Sequence, residues 1–423
     1  MLIHSASQLL TLSGGPQRGD KLGTLGILEK GAVLIRAGKI IAIDTTEALL
    51  EAYPEEDRLD ASGRVVMPGF VDPHTHAVWA GDRAAEFEMR LQGKSYLEIM
   101  QAGGGIVSTV RSTREASLEQ LKAEAHPRLE TVFAHGTTTL EVKTGYGLDP
   151  ETELRMLRAV LELGEETPLD LVPTFLGAHA VPPEYEDDPE GYADLVCREM
   201  LPALKSWWAE NTTDPLPFVD VFCETGAFSL AQSRRILETA RDLGFPIKIH
   251  ADEFDNLGGT SLAAELNAVS ADHLVVTSAE DMEALGKADT VAVGLPCTPF
   301  GLAEPDYTPA REILAAGGIL AVATDLNPGT AWCESIQFAL ALACRYMKLT
   351  PAQAIAAATI NAAAAVQLDH QVGSLEPGKQ ADLLILCVDD YRHLGYRFGA
   401  NLVQTVIKKG RVYPIKEEYG FSQ

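Results

Sequence analysis

The sequence predicts a (β/α)8 TIM barrel joined to a small composite β-sandwich domain formed by both chain termini. Three observations carry the prediction. From residue 65 to about 371, short apolar β-branched runs alternate with helical stretches, the pattern of a parallel sheet closed by crossover helices. Eight such runs fall within roughly 300 residues, the repeat number of a closed barrel. Strand-turn-strand signals stand at both ends of the chain, so residues 1–64 and 372–423 read as two pieces of one β domain with the barrel, 65–371, between them.

The elements follow in order. Ala32-Val33-Leu34-Ile35, a turn at Arg36-Ala37-Gly38-Lys39, and Ile40-Ile41-Ala42-Ile43 make a hairpin pattern. The first barrel strand is read from Val65 through His74 and His76, the second as Thr138 to Lys143, and the third as Leu169 to Phe175, leading to His179. Val219 to Glu224 is the fourth and Ile247 to His250 the fifth. Ala268 to Val276, around His273, is the sixth, Thr290 to Leu295 the seventh, and Ile319 to Asp325 the eighth. Between them, Glu151 to Leu163 places Leu154, Leu157, Val160 and Leu161 on one helical face. Thr350-Pro351 gives an N-cap with Pro at the first helical position, ahead of an Ala-rich helix through Ala365. The chain then returns to strands at Ala381 to Leu386 and to a hairpin around Lys408-Lys409-Gly410.

Composition limits the function. Hydrophobic residues make up 46% and charged residues 22% of 423, an ordinary globular balance. Against 34 Lys and Arg stand 60 Asp and Glu, a net charge of −26 that repels phosphate backbones and anionic lipid, so neither nucleic acid nor membrane is an expected partner. Met1 to Ser5 carries no basic leader pattern and no apolar run is long enough to span a bilayer, which predicts a cytoplasmic protein. Six scattered cysteines without Cys-x-x-Cys spacing read as reduced, so a metal here must use histidine and carboxylate.

Side chains alternate faces along a strand, so His74 and His76 point the same way and can share one cation. Alone, such a pair is more often a hydrogen-bonded strand end. Here His179, His250 and His273 also fall at strand ends, and Asp325 ends the eighth strand. In a barrel all carboxyl ends share one rim, where active sites of this architecture lie. Histidines and a carboxylate gathered there suit Zn2+ or iron acting as a Lewis acid.

The segments Pro68-Gly69-Phe70-Val71-Asp72-Pro73-His74-Thr75-His76 and Gly373 to Asp382 resemble the amidohydrolase superfamily. Ala80-Gly81-Asp82-Arg83, Ala102 through Arg111, Glu141 through Gly147, Phe175 through His179, His250-Ala251-Asp252-Glu253 and Asp325 through Thr330 are similar to the narrower imidazolonepropionase family. Members of that family open 4-imidazolone-5-propanoate to N-formimino-L-glutamate. The resemblance implies one divalent or trivalent ion, Zn2+ or iron, held by His74, His76, His250 and Asp325. It implies substrate contacts from Arg83, Tyr96, Tyr146, His179, Glu253, Asn327, Gly329 and Thr330, and a homodimer. A metal-activated water is then expected to attack the ring amide, with His273 polarising the carbonyl and Asp325, aided by Glu253, carrying the proton. Lys143 falls on the second strand rather than the fourth, where some amidohydrolases carry a metal-bridging lysine, which favours one ion. Gly103 to Gly105 lacks the Lys-Ser/Thr of a phosphate loop and reads as a loop near the mouth. Two readings compete: a superfamily deaminase of a heterocyclic amine, and a non-catalytic scaffold. All four expected ligands are present, which counts against the second.

Overall fold

A computed structural model gives the structure, which describes residues 1–94 and 104–415. Two eight-stranded sheets dominate it. The first draws on both ends of the chain. It contains β1 (Leu2–Leu10), β2 (Ile27–Arg36), β3 (Lys39–Thr45), β4 (Arg58–Asp60) and β5 (Val65–Pro68). The other sheet begins with β6 (Phe70–Asp72), β7 (Thr137–Lys143), β8 (Asp170–Ala178) and β9 (Phe218–Cys223). It continues through β10 (Lys248–Ala251), β11 (Ser270–His273), β12 (Val291–Gly294) and β13 (Ile319–Val322). The chain then rejoins the first sheet with β14 (Leu383–Leu386), β15 (Val403–Lys408) and β16 (Arg411–Pro414).

In the terminal sheet the order is β16-β15-β14-β5-β1-β2-β3, with β4 beside β1. The expected hairpins are there. Ala37 and Gly38 both have positive φ, as do Lys409 and Gly410, the geometry of two-residue turns whose twist matches the flanking strands. The barrel strands pair in sequence order, all parallel, from β6 to β13. A parallel bridge between Thr75 and Leu326 joins the first and last strand regions, nearly closing the barrel. Within it, Val71, Val293, Ala321 and Ala323 pack in one apolar cluster.

Local chemistry explains two departures from the expected boundaries. The run read as one barrel strand from Val65 divides: Val65–Pro68 pairs in the terminal sheet, and the barrel strand Phe70–Asp72 ends where Pro73 has no N–H for the ladder, so His74 and His76 stand just beyond it. The Ala-rich helix breaks into Pro351–Ala357 and Ile360–Ala365, where Thr359 Oγ1 donates to Ile355 O at 2.6 Å and competes with the helical ladder. The expected cap is present, with Thr350 and Gln353 forming a reciprocal capping box. Among the described residues no helix is long and apolar enough to cross a membrane, and all six cysteines are free thiols.

The two sheets are fastened by charge. Lys408, nearly buried at the end of β15, sends Nζ to Asp382 Oδ2 at 2.6 Å, Asp170 Oδ2 at 2.7 Å and Thr138 O at 2.8 Å. Thr138 and Asp170 belong to barrel strands, so one ammonium joins both domains. Removing it leaves the buried Asp382 carboxylate without its cation, while the part-exposed Asp170 keeps Lys409 Nζ at 2.7 Å, a loss of at most about 3 to 5 kcal/mol for a broken buried pair. Lys408→Met is therefore expected to lower the unfolding free energy measured by urea titration by an amount up to that range. A change under about 0.5 kcal/mol, the size of an ordinary surface substitution, would show the fastening to be dispensable.

Candidate functional site

Three imidazoles lie at the carboxyl end of the barrel. His74 and His76 follow β6, and His250 is in β10. Each offers a ring nitrogen, and the three atoms lie within 4.8 Å of one another, a group able to hold a metal ion. His74 Nδ1 is 2.7 Å from Asp272 Oδ2 in full burial. A carboxylate only accepts, so the ring proton sits on Nδ1 and the lone pair of Nε2 is free. That Nε2 has no hydrogen-bond partner, nor has either ring nitrogen of His250. His250 Nδ1 nonetheless lies 3.0 Å from Asp220 Oδ2, close but poorly aligned, and a small ring rotation restores the bond. Buried nitrogens left unpaired cost on the order of 1 to 3 kcal/mol each, and a cation at their common focus removes that cost. Burial also holds His74 and His76 well below the ordinary imidazole pKa, in the neutral form that ligates metal.

Asp325 completes the cluster. Its Oδ1 is 3.4 Å from His74 Nε2 and 3.7 Å from His76 Nε2, while Oδ2 accepts from Thr298 Oγ1. Burial pushes its carboxyl up to about 6. His273, ending β11, lies among the other rings, tilted at 5.2 Å from His250 and edge-on at 5.5 Å from His74, and its Nδ1 is 3.5 Å from Glu253 Oε2. Burial first, then the charges of Asp325 and Glu224, raise the Glu253 carboxyl well above its usual range.

Above this floor opens a cavity of about 630 Å³, lined by Arg83, Tyr146, His179, Glu253, Asn327, Gly329 and Thr330 together with His76, His250, His273 and Asp325. The structure brings these sequence-chosen residues into one pocket. His179 lies over His76 at 5.0 Å and nearly parallel, and its Nδ1 donates to Gly145 O at 3.0 Å, so its Nε2 is left as an acceptor. Tyr146 is buried 5.7 Å from His76. Asn327 Oδ1 accepts from the N–H groups of Gly329 and Thr330, both at 2.8 Å, tightening the turn beside Arg83. A Cβ at position 329 would come 2.3 Å from Arg83 Nη1, so a larger residue there would displace the guanidinium. Arg83 Nε is paired with the buried Glu86 Oε2 at 2.8 Å, and the guanidinium also lines the cavity. Tyr96 and Gly103 lie outside the described residues. Gly105, with φ +78, precedes the helix Ile106–Glu115.

Sequence reasoning missed several groups. Asp220 and Asp272 touch the histidines from beneath, and Lys248 is buried with them beside Lys143, which the sequence offers only as a candidate metal-bridging residue. Arg90 also lines the cavity, donating to Gly329 O at 3.0 Å. Glu224 Oε2 accepts from Phe254 N at 3.0 Å and so holds the segment carrying Glu253. The available signal was a charged residue on the inward register of an otherwise apolar strand, as in Val219-Asp220-Val221.

The chain matches the family model for the amidohydrolase family over residues 65–413, and a model for the bacterial imidazolonepropionase-like composite domain over residues 31–55. It is 53% identical over 412 residues to the imidazolonepropionase of Herpetosiphon aurantiacus, covering 97% of this chain and 96% of that one. With the imidazolonepropionase of Chloroflexus aggregans it is 48% identical over 423 residues, covering 99% of each. Among solved structures, 5-methylcytosine deaminase from Klebsiella pneumoniae liganded with 5-fluorocytosine superposes with a TM-score of 0.73 at 18% identity, over 100% of this chain and 99% of that one. Guanine deaminase from Bradyrhizobium japonicum gives 0.70 at 16%, over 98% and 99%. At that identity the likeness shows the fold alone. The cluster predicts that protein isolated with its metal holds about one equivalent by atomic emission, and that His74→Ala holds less than about a tenth, since the loss of one of three nitrogens opens a small site. An unchanged metal content in His74→Ala would place the ion elsewhere.

Proposed function

The chain belongs to the amidohydrolase family, and within it to the imidazolonepropionases, and from that premise we propose that it hydrolyses 4-imidazolone-5-propanoate to N-formimino-L-glutamate in histidine degradation. The observation that carries the reading is one cavity with a metal-competent histidine cluster at its floor and an arginine at its side. When bound, one divalent or trivalent ion, Zn2+ or iron, supplies Lewis acidity that brings the pKa of water toward neutrality. His74, His76, His250 and Asp325 are the ligand set in this proposal.

The remaining chemistry belongs to the protein. Water adds to the ring amide carbonyl, the bond to the ring nitrogen breaks, and that nitrogen leaves as the formimino group. Asp325, its carboxyl near neutrality, accepts the proton of the attacking water and returns it to the departing nitrogen. Burial raises the Glu253 carboxyl and so favours the protonated form, which can donate a hydrogen bond to the ring. His273 polarises the carbonyl from the cavity wall. Tyr146 and His179 flank the ring position, while Asn327, Gly329 and Thr330 shape the side that Arg83 faces. A planar guanidinium matches the propanoate carboxylate, and in a chain of net charge −26 a fixed cation is what an anionic substrate needs.

Substrate loss followed by ring absorbance, with ammonia assayed in parallel, tests the reaction. Turnover without stoichiometric ammonia is expected; turnover of guanine or cytosine with ammonia release would move the chain to a deaminase. Arg83→Met is expected to lower kcat/KM by about 30-fold to several thousand-fold, the cost of removing one partner of a desolvated charge pair. Part of that loss should fall on kcat, because remote binding energy also orients the ring. The variant should process a neutral amide analogue as well as wild type does. Near-normal kcat/KM on the anionic substrate would assign the carboxylate to another cation. The proposal extends to a homodimer in the cytoplasm, and a monomer mass by light scattering would overturn the first of these.

A further inference from the structure

Beneath the imidazoles, charged side chains that the proposed reaction never touches fill the barrel. Glu141 and Lys143 come from β7, Asp220 from β9, Lys248 from β10 and Asp272 from β11, and all five are at 0% exposure. Glu141 and Lys143 are two apart on one strand and therefore share its inward face. Lys143 Nζ lies 2.7 Å from Asp220 Oδ2, 3.0 Å from Glu141 Oε1 and 3.3 Å from Asp272 Oδ2. The same two aspartate oxygens face the metal-competent rings: Asp272 Oδ2 is 2.7 Å from His74 Nδ1, and Asp220 Oδ2 is 3.0 Å from His250 Nδ1. One ammonium thus touches both oxygens that set two of the three rings.

We infer that Lys143 is a positioning residue for the metal: its ammonium pins Asp220 and Asp272 where they accept the Nδ1–H groups of His250 and His74, which turns both Nε2 lone pairs toward a common focus. This rests on the reading of His74, His76 and His250 as ligands. The physical argument is one of charge. Two carboxylates beside one another in a dry interior repel strongly, and only a cation between them keeps both oxygens in place. Without it they separate, and each imidazole loses the fixed acceptor that holds its plane and tautomer. Lys248 provides the contrast. It is equally buried, yet it bonds to Glu141 Oε1 at 2.9 Å and donates to Pro73 O at 3.4 Å, reaching neither ring through a shared oxygen.

The test measures Zn2+ affinity of metal-free protein by competition with a chromophoric chelator, beside urea stability of the same samples. Lys143→Met is expected to bind Zn2+ about 10- to 100-fold more weakly than wild type, and Lys248→Met to stay within about threefold, because only the first loses a direct contact with the carboxylates that orient ligands. Both should lose stability. A purely structural lysine would make the two variants alike in affinity, and that result, or wild-type affinity in Lys143→Met, overturns the inference while leaving the histidine site standing. Failure of wild type to bind Zn2+ tightly would instead remove the site itself. If Lys143→Met does not fold, 15N NMR of the metal-free wild type still decides. Protons on Nδ1 of His74 and His250 are expected, and a proton on Nε2 of either ring overturns the inference.

Discussion

The molecule depends on one electrostatic constraint: neutral imidazole nitrogens must be aimed at a single point inside a water-poor barrel. An imidazole turns freely about its bonds unless its far nitrogen is held, and the strongest available holder is a carboxylate. Carboxylates cannot stand in an apolar interior alone, so Asp220 and Asp272 bring Lys143 with them, and Lys143 and Lys248 share Glu141. The directions of titration follow. Against the cost of burial, His250 and Lys143 hold the Asp220 carboxyl well below its usual range, whereas burial dominates at Asp272 and pushes it up. A network of this kind is poor as a source of stability, since hydrophobic residues of equal volume serve as well or better. Its presence is explained by what it orients.

The rim obeys a second rule, that the loops carrying substrate contacts are each tied to something rigid. Arg128, from the helix Leu118–Ala134, reaches inward and places its guanidinium 3.5 Å over Trp79 and 5.3 Å from Trp332, while Nη1 donates to Ala77 O and Trp79 O. Trp79 follows His76 and Trp332 follows Thr330, so a single cation braces the first and last loops of the barrel. Such a desolvated cation over an indole contributes about 2 kcal/mol. Glu153 does the same for the loop of Tyr146, accepting from the N–H groups of Gly145, Gly147 and Leu148. These braces explain how a cavity built from loops can be preorganised.

The barrel was legible because its strands repeat a simple pattern, and the chemistry was legible because histidines recur at strand ends. What stayed hidden were groups whose meaning depends on a partner far away in the chain. Asp272 and His74 are 198 positions apart, and nothing local to Asp272 says that it faces a ring. Arg83 shows a subtler limit. One side chain there does two things at once: the guanidinium is paired with Glu86 and also lines the cavity, and no local pattern around residue 83 says which of the two matters more. Residues 1–64 showed their hairpin through turn chemistry, yet β1 pairing in parallel with β4 and β5 leaves no such local mark.

Backbone geometry shows where the fold gives ground to the site. Asp252, His273, Leu274 and Asp325 all have positive φ, from 54° to 81°, at or just past the ends of β10, β11 and β13. Aspartate tolerates that region; histidine and leucine do so at a cost of about 1 to 3 kcal/mol each, and they persist only where surroundings over-determine them. Here the surroundings are ladder bonds continued past the strands: Leu274 N donates to Ala251 O, Val276 N to Asp252 O, and Asp325 N to His74 O. Turning the chain sharply at these points aims His273 and Asp325 across the barrel mouth rather than along it, which a regular strand end would not do. The closing bridge between Thr75 and Leu326 then fixes the last of these turns against the first strand. Barrel closure and the convergence of His74, His76 and Asp325 are thus one structural event, because the bonds that shut the barrel are the bonds that place the site.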